Sequence, residues 1–127
     1  MPEIEAHLIE KYQAAVTADP QSADAHSNLG WGYYGLRQYD EAIKALREAV
    51  RIDPSNIDAH YGLGLALKES GATADAIGEF EIVSHLAPQS TNVVRGHMLA
   101  RLAKGHINQI NSGDWSLDID LKQKKAA

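Results

Sequence analysis

The stretch ADAHSNLGWGYYGLRQYDEAIKALREAVRIDPSN, Ala23 to Asn56, reads as two short helices joined by a turn, and it recurs. Displaced by 34 residues it falls on Ile57 to Ser90, IDAHYGLGLALKESGATADAIGEFEIVSHLAPQS. Eight positions are identical: Asp24/Asp58, Ala25/Ala59, His26/His60, Leu29/Leu63, Gly30/Gly64, Ala42/Ala76, Ile43/Ile77 and Pro54/Pro88. A repeat of this length is one helix-turn-helix unit that cannot bury its apolar face alone and must stack on a neighbour. The expected fold class is therefore all-α, a helical solenoid.

The flanks follow the same ruler. Residues 3–18 read as a helix with an apolar stripe of Ile4, Leu8, Ile9, Tyr12, Ala15 and Val16, ending before Asp19-Pro20. Ile9, Ala15, Val16, Asp19 and Pro20 lie one period before Ile43, Ala49, Val50, Asp53 and Pro54, so this segment matches the second helix of a repeat whose first helix is missing. The complete repeats are expected to have helices near 23–36 and 40–52, with Asp40 capping the latter, and near 57–70 and 73–86, with Gly71 ending one and Thr73 opening the next. A further helix begins after Ser90, with Val94, Met98, Leu99, Leu102, Ile107 and Ile110 on one side, and runs to about 110 unless Gly105 interrupts it. It matches the repeat poorly, with His97 and Met98 where Leu and Gly stand in the others, and reads as a solvating cap. The expected organisation is one helical domain, 1–111, made of a half-repeat 3–22, repeats 23–56 and 57–90, and a capping helix 91–111. A tail, 112–127, follows, in which Trp115, Leu117, Ile119 and Leu121 alternate with polar residues as in an extended strand.

These residues resemble the tetratricopeptide repeat family, whose pattern has a small residue after Leu in the first helix, small residues seven apart in the second and a closing Pro. Here those roles fall on Leu29-Gly30, Ala42, Ala49 and Pro54, then on Leu63-Gly64, Ala76, Val83 and Pro88. The resemblance implies a right-handed superhelical array acting as a protein-interaction scaffold, with a peptide or helix held in a concave groove lined by the first helices.

Composition narrows the partners. The net charge is −5 over 127 residues, against nucleic acid, whose phosphates call for clustered Lys and Arg. The charge is uneven: residues 1–94 carry 14 acidic and 6 basic side chains, residues 95–127 carry 3 and 6. There is no cysteine, which suits a reducing, cytoplasmic setting, and no apolar run of membrane-spanning length, so no membrane partner is expected. No cofactor or metal is expected either. The six histidines show no ligand spacing, and His26 and His60 occupy equivalent core positions. No nucleophile elbow or phosphate loop appears, since Gly30-Trp31-Gly32 and Gly62-Leu63-Gly64 sit inside helices, and an enzyme is not expected.

Each glycine inside a helix costs about 1 kcal/mol relative to Ala, so it needs a reason. Gly30 and Gly64 are read as close helix contacts, while Gly35, Gly62 and Gly96 project towards the groove and make room there. Asn28, Trp31, Tyr61, Leu65, Arg95 and Leu99 are the expected peptide-binding residues, with Trp31, Tyr61, Leu65 and Leu99 forming an apolar strip flanked by carboxylates. One subclass of the family grips the C-terminal carboxylate of heat-shock chaperones with Lys, Asn and Arg. Only Asn28 of that set is retained, and Asp58 and Gly62 stand where cations would be, so that ligand is disfavoured. The alternative to groove binding is self-assembly, a homo-oligomer formed through the incomplete terminal repeats.

Overall fold

The computed structural model describes residues 2–114 and holds six α-helices among them: α1 (Pro2–Ala18), α2 (Ala23–Gly35), α3 (Tyr39–Ile52), α4 (Ile57–Glu69), α5 (Thr73–Leu86) and α6 (Val93–Ser112). Each helix packs on the next, and the first helices α2, α4 and α6 also touch one another in turn. That second set of contacts makes α2, α4 and α6 the inner face of an all-α solenoid.

Local chemistry starts the first helices. Ser22 Oγ, Asn56 Oδ1 and Asn92 Oδ1 accept from the backbone N–H of Ala25, Ala59 and Arg95 at 3.1, 3.1 and 3.0 Å. The second helices start differently from expectation. Gln38 and Ala72 hold the N-cap positions of α3 and α5 without a side-chain bond, so Asp40 lies in the first turn of α3 rather than capping it, and Thr73 is already helical. What bends the chain before them is a backbone in the left-handed region, at Gly71 (φ 91°) and at the equivalent Arg37 (φ 60°).

The core forms where glycine meets a large side chain of the following helix. A Cβ on Gly30 would collide with the Leu46 side chain, and one on Gly64 would stand 2.7 Å from the Phe80 ring. Leu46 and Phe80 are fully buried, together with Ala42, Ala49, Ala76 and Val83 on the same faces of α3 and α5. Gly32 brings α2 onto α1, since a Cβ there would lie 2.9 Å from Ile9 and 3.0 Å from Tyr12.

The last helix corrects the expected register. Between α5 and α6 the chain makes a short 3-10 turn, Ala87–Gln89, so the cap Asn92 follows Asn56 by 36 residues where Asn56 follows Ser22 by 34. Leu99 and Ala100, not His97 and Met98, therefore stand where Leu63-Gly64 stand, and Leu29, Leu63 and Leu99 are all buried. Helix α6 thus takes a first-helix position in the array, packed on α5 and touching α4. It runs through Gly105 and ends at Gly113. The expected alternation from Trp115 to Leu121 lies outside the described residues.

Candidate ligand groove

On the inner face, α2 and α4 together with the start of α6 enclose an open concavity of about 370 Å³ lined by Asp24, Ser27, Asn28, Trp31, Asn56, Asp58 and Arg95. Three of the six expected site residues, Asn28, Trp31 and Arg95, meet there. Arg95 reaches back from α6 to Asp58 on α4, its Nε donating to Oδ1 at 3.1 Å, and this pair holds the guanidinium above its ordinary pKa. Asn56 Nδ2 donates to Asp24 Oδ1 at 3.4 Å. Two carboxylates against one guanidinium leave the concavity net acidic.

The expected apolar strip is corrected. Tyr61 and Leu99, 9% and 4% exposed, belong to the core, and Leu65 is half-buried against it. Tyr61 sits among Trp31, Phe80 and His106, with ring centroids 6.2, 5.9 and 5.8 Å away. The His106 ring stacks on Phe80 at 4.9 Å, its Nε2–H donates to the Tyr61 hydroxyl at 3.1 Å, and its Nδ1 accepts from Lys68 at 2.9 Å. Burial and the Lys68 charge push His106 down to about 4. This cluster joins α2, α4, α5 and α6 from behind the groove.

Two of the three groove glycines are also reassigned. The space above Gly62 is filled by the Trp31 indole, to which a Cβ would come within 2.9 Å, and Gly96 packs on the Ala87 carbonyl and Ser90. Only Gly35 opens onto unoccupied space. In exchange, the shifted register brings Val94 and Met98 to the positions held by Asp58 and Gly62 in the previous repeat, on the inner face. They are 80% and 47% exposed, the apolar surface that sequence reasoning had assigned elsewhere. The displaced cap residue, Asn92, is the signal that would have found them.

The two repeated histidines have structural partners. His26 and His60 each bond the carbonyl of the preceding proline, Pro20 at 2.8 Å and Pro54 at 2.7 Å. Among the described residues no three His, Asp or Glu side chains are grouped to hold a metal. No helix among them is long and apolar enough to cross a membrane.

The sequence profile of the TPR repeat matches residues 32–71, from the second half of α2 to the turn after α4. This match and the fold support a tetratricopeptide repeat assignment. A tetratricopeptide-like crystal structure, that of MamA, superimposes with a TM-score of 0.64 at 27% identity, over 93% of this chain and 68% of that one. No curated protein matches the sequence. The tetratricopeptide assignment makes the chain a protein-interaction scaffold in general terms.

Proposed function

We propose that the inner face binds a peptide or an amphipathic helix, held at its polar end by Asn28, Trp31 and Arg95 and at its apolar end by Val94 and Met98, beside Leu65. The observation that carries this reading is the concavity itself, built by residues from three successive first helices and edged by the half-buried Trp31. Tyr61 and Leu99 support that wall without touching the ligand. The net acidic lining favours a ligand carrying a cation near Asp24, where the Trp31 face adds a cation–π contact.

The test is selection from a displayed peptide library on the full chain, followed by binding to Asp24→Ala and Met98→Asp, both surface changes. Selected peptides should bind each variant at least about tenfold more weakly, a difference of about 1.4 kcal/mol, with melting unchanged. Peptides that bind both variants as well as the parent would place the site elsewhere.

A second reading, association of copies through the terminal repeats, is supported by a separate observation. Leu8 on α1 is 42% exposed, whereas Ala42 and Ala76, its equivalents on α3 and α5, are completely buried.

A further inference from the structure

Three residues of α6 line up along its inner face. Val94 and Met98 are exposed there, and Gly105 stands seven residues, about two turns, beyond Met98. Gly105 is buried, although Gly35 and Glu69, its equivalents on α2 and α4, are exposed. Burial of an inner-face glycine calls for a cover, and at Gly62 that cover is the Trp31 indole.

Charge is ordered along the same line. At the start of α6 the concavity presents Asp24 and Asp58, whereas the helix itself bears Arg101 and Lys104, both exposed, and no acidic residue. The sequence after Asp114, WSLDIDLKQKKAA, carries the opposite signs in reverse order. Trp115, Leu117, Ile119 and Leu121 alternate with Ser116, Asp118 and Asp120, and Lys122, Lys124 and Lys125 follow. Gly113, left-handed at φ 77°, ends α6 and allows the chain to turn back. Met98 then lies about 22 Å back along the helix at 1.5 Å per residue, which about seven residues of extended chain cover at 3.3 Å each. That reach brings Leu121 level with Met98 and the lysines level with the concavity.

We infer that residues 115–125 of the same chain occupy the inner face of α6, extended and antiparallel to it. In this arrangement Trp115 covers Gly105, Leu121 meets Met98 and Val94, and Lys122 and Lys124 face Asp58 and Asp24. The occupant is this segment because reach, apolar alternation and the order of charges agree on one direction and one register. Tied to the surface it covers, it competes with a free ligand at high effective concentration. That competition rests on the reading of this face as a ligand groove, whereas the docking does not.

Disulfide trapping in the full chain, which has no cysteine of its own, tests it. Met98→Cys with Leu121→Cys should close within one chain at least about tenfold faster than either of two controls, because docking raises the local concentration of one thiol at the other. One control pairs Leu121→Cys with Glu81→Cys, exposed on α5, and the other pairs Met98→Cys with Trp115→Cys. A rate no greater than the first control overturns the inference and leaves the groove reading to its own variants. Faster closure with Trp115→Cys overturns the antiparallel register, and a disulfide joining two chains makes a second copy's segment the occupant. Leu117→Ser with Leu121→Ser should in turn tighten binding of the library-selected peptides by at least about tenfold, a difference of about 1.4 kcal/mol. Equal affinity, with fast closure in place, overturns the competition and the ligand reading of this face while the docking stands.

Discussion

The Trp31 indole lies directly over Gly62, so close that a single added Cβ would come within 2.9 Å of its ring. This contact between the first helices of adjacent repeats uses a glycine as a seat for the array's own aromatic side chain. Its consequence is that filling the seat should move the tryptophan. In a Trp115→Phe background, Gly62→Val should shift Trp31 emission to the red as the ring is displaced into solvent. An unchanged spectrum would mean the ring does not depend on that space.

Glycines in this fold should separate into opposite classes. Gly30→Leu and Gly64→Leu force a side chain into Leu46 and Phe80, and each should destabilise by about 1–3 kcal/mol or more. A Cβ on Gly78, inside α5, meets nothing within 4 Å, so Gly78→Ala should stabilise by up to about 1 kcal/mol through helix propensity alone. Denaturant unfolding reads all three, and equal effects would remove the packing argument.

Tyr61 behaves as core in this arrangement. Tyr61→Ala should cost about 3–5 kcal/mol, the range for deleting a buried aromatic ring, whereas Tyr61→Phe removes only the hydroxyl contact to His106, worth about 1 kcal/mol. A Tyr61→Ala protein that melts with the parent would return the residue to the groove.

Buried His60 and half-buried His106 should give stability opposite pH slopes. Burial opposes the charge on His60, but its bonds to Glu79 and to the Pro54 carbonyl outweigh that and raise its pKa, since both ring nitrogens then donate. Its contribution is complete below the unfolded value of 6.5 and is lost as pH rises through the folded one. His106, pushed down from 6.5 to about 4, is favoured neutral, so its contribution is complete above 6.5 and is lost as pH falls towards 4. Melting temperature against pH should therefore lose less on acidification from 6.5 to 4 in His106→Phe than in the parent, and identical profiles would show His106 to be titrating normally.

Arg37 holds the left-handed conformation that its equivalent Gly71 adopts without cost. Arg37→Gly should then gain about 1 kcal/mol from relieved strain, reduced by the greater entropy of glycine in the unfolded chain. A clear loss of stability would show that the Arg37 side chain contributes contacts of its own.

Chain order by itself determined the repeat length, the Leu-Gly contacts and the six helices, because these rest on local periodicity and on the size of a side chain at a fixed helical position. Leu29-Gly30 and Leu63-Gly64 recur whatever surrounds them, and Pro54 and Pro88 close their repeats by covalent geometry. Tertiary structure decided which side of the inner helices is open. Tyr61 and Leu99 share a helical face with groove residues, yet the aromatic cluster with His106 and the packing of α6 enclose them. The same holds for α6: a two-residue delay at the Ala87–Gln89 turn rotates every later position by about 200°, at 3.6 residues per turn. That rotation brings Val94 and Met98 onto the inner face and Leu99 into the core, an outcome fixed by how the turn packs beneath Gly96.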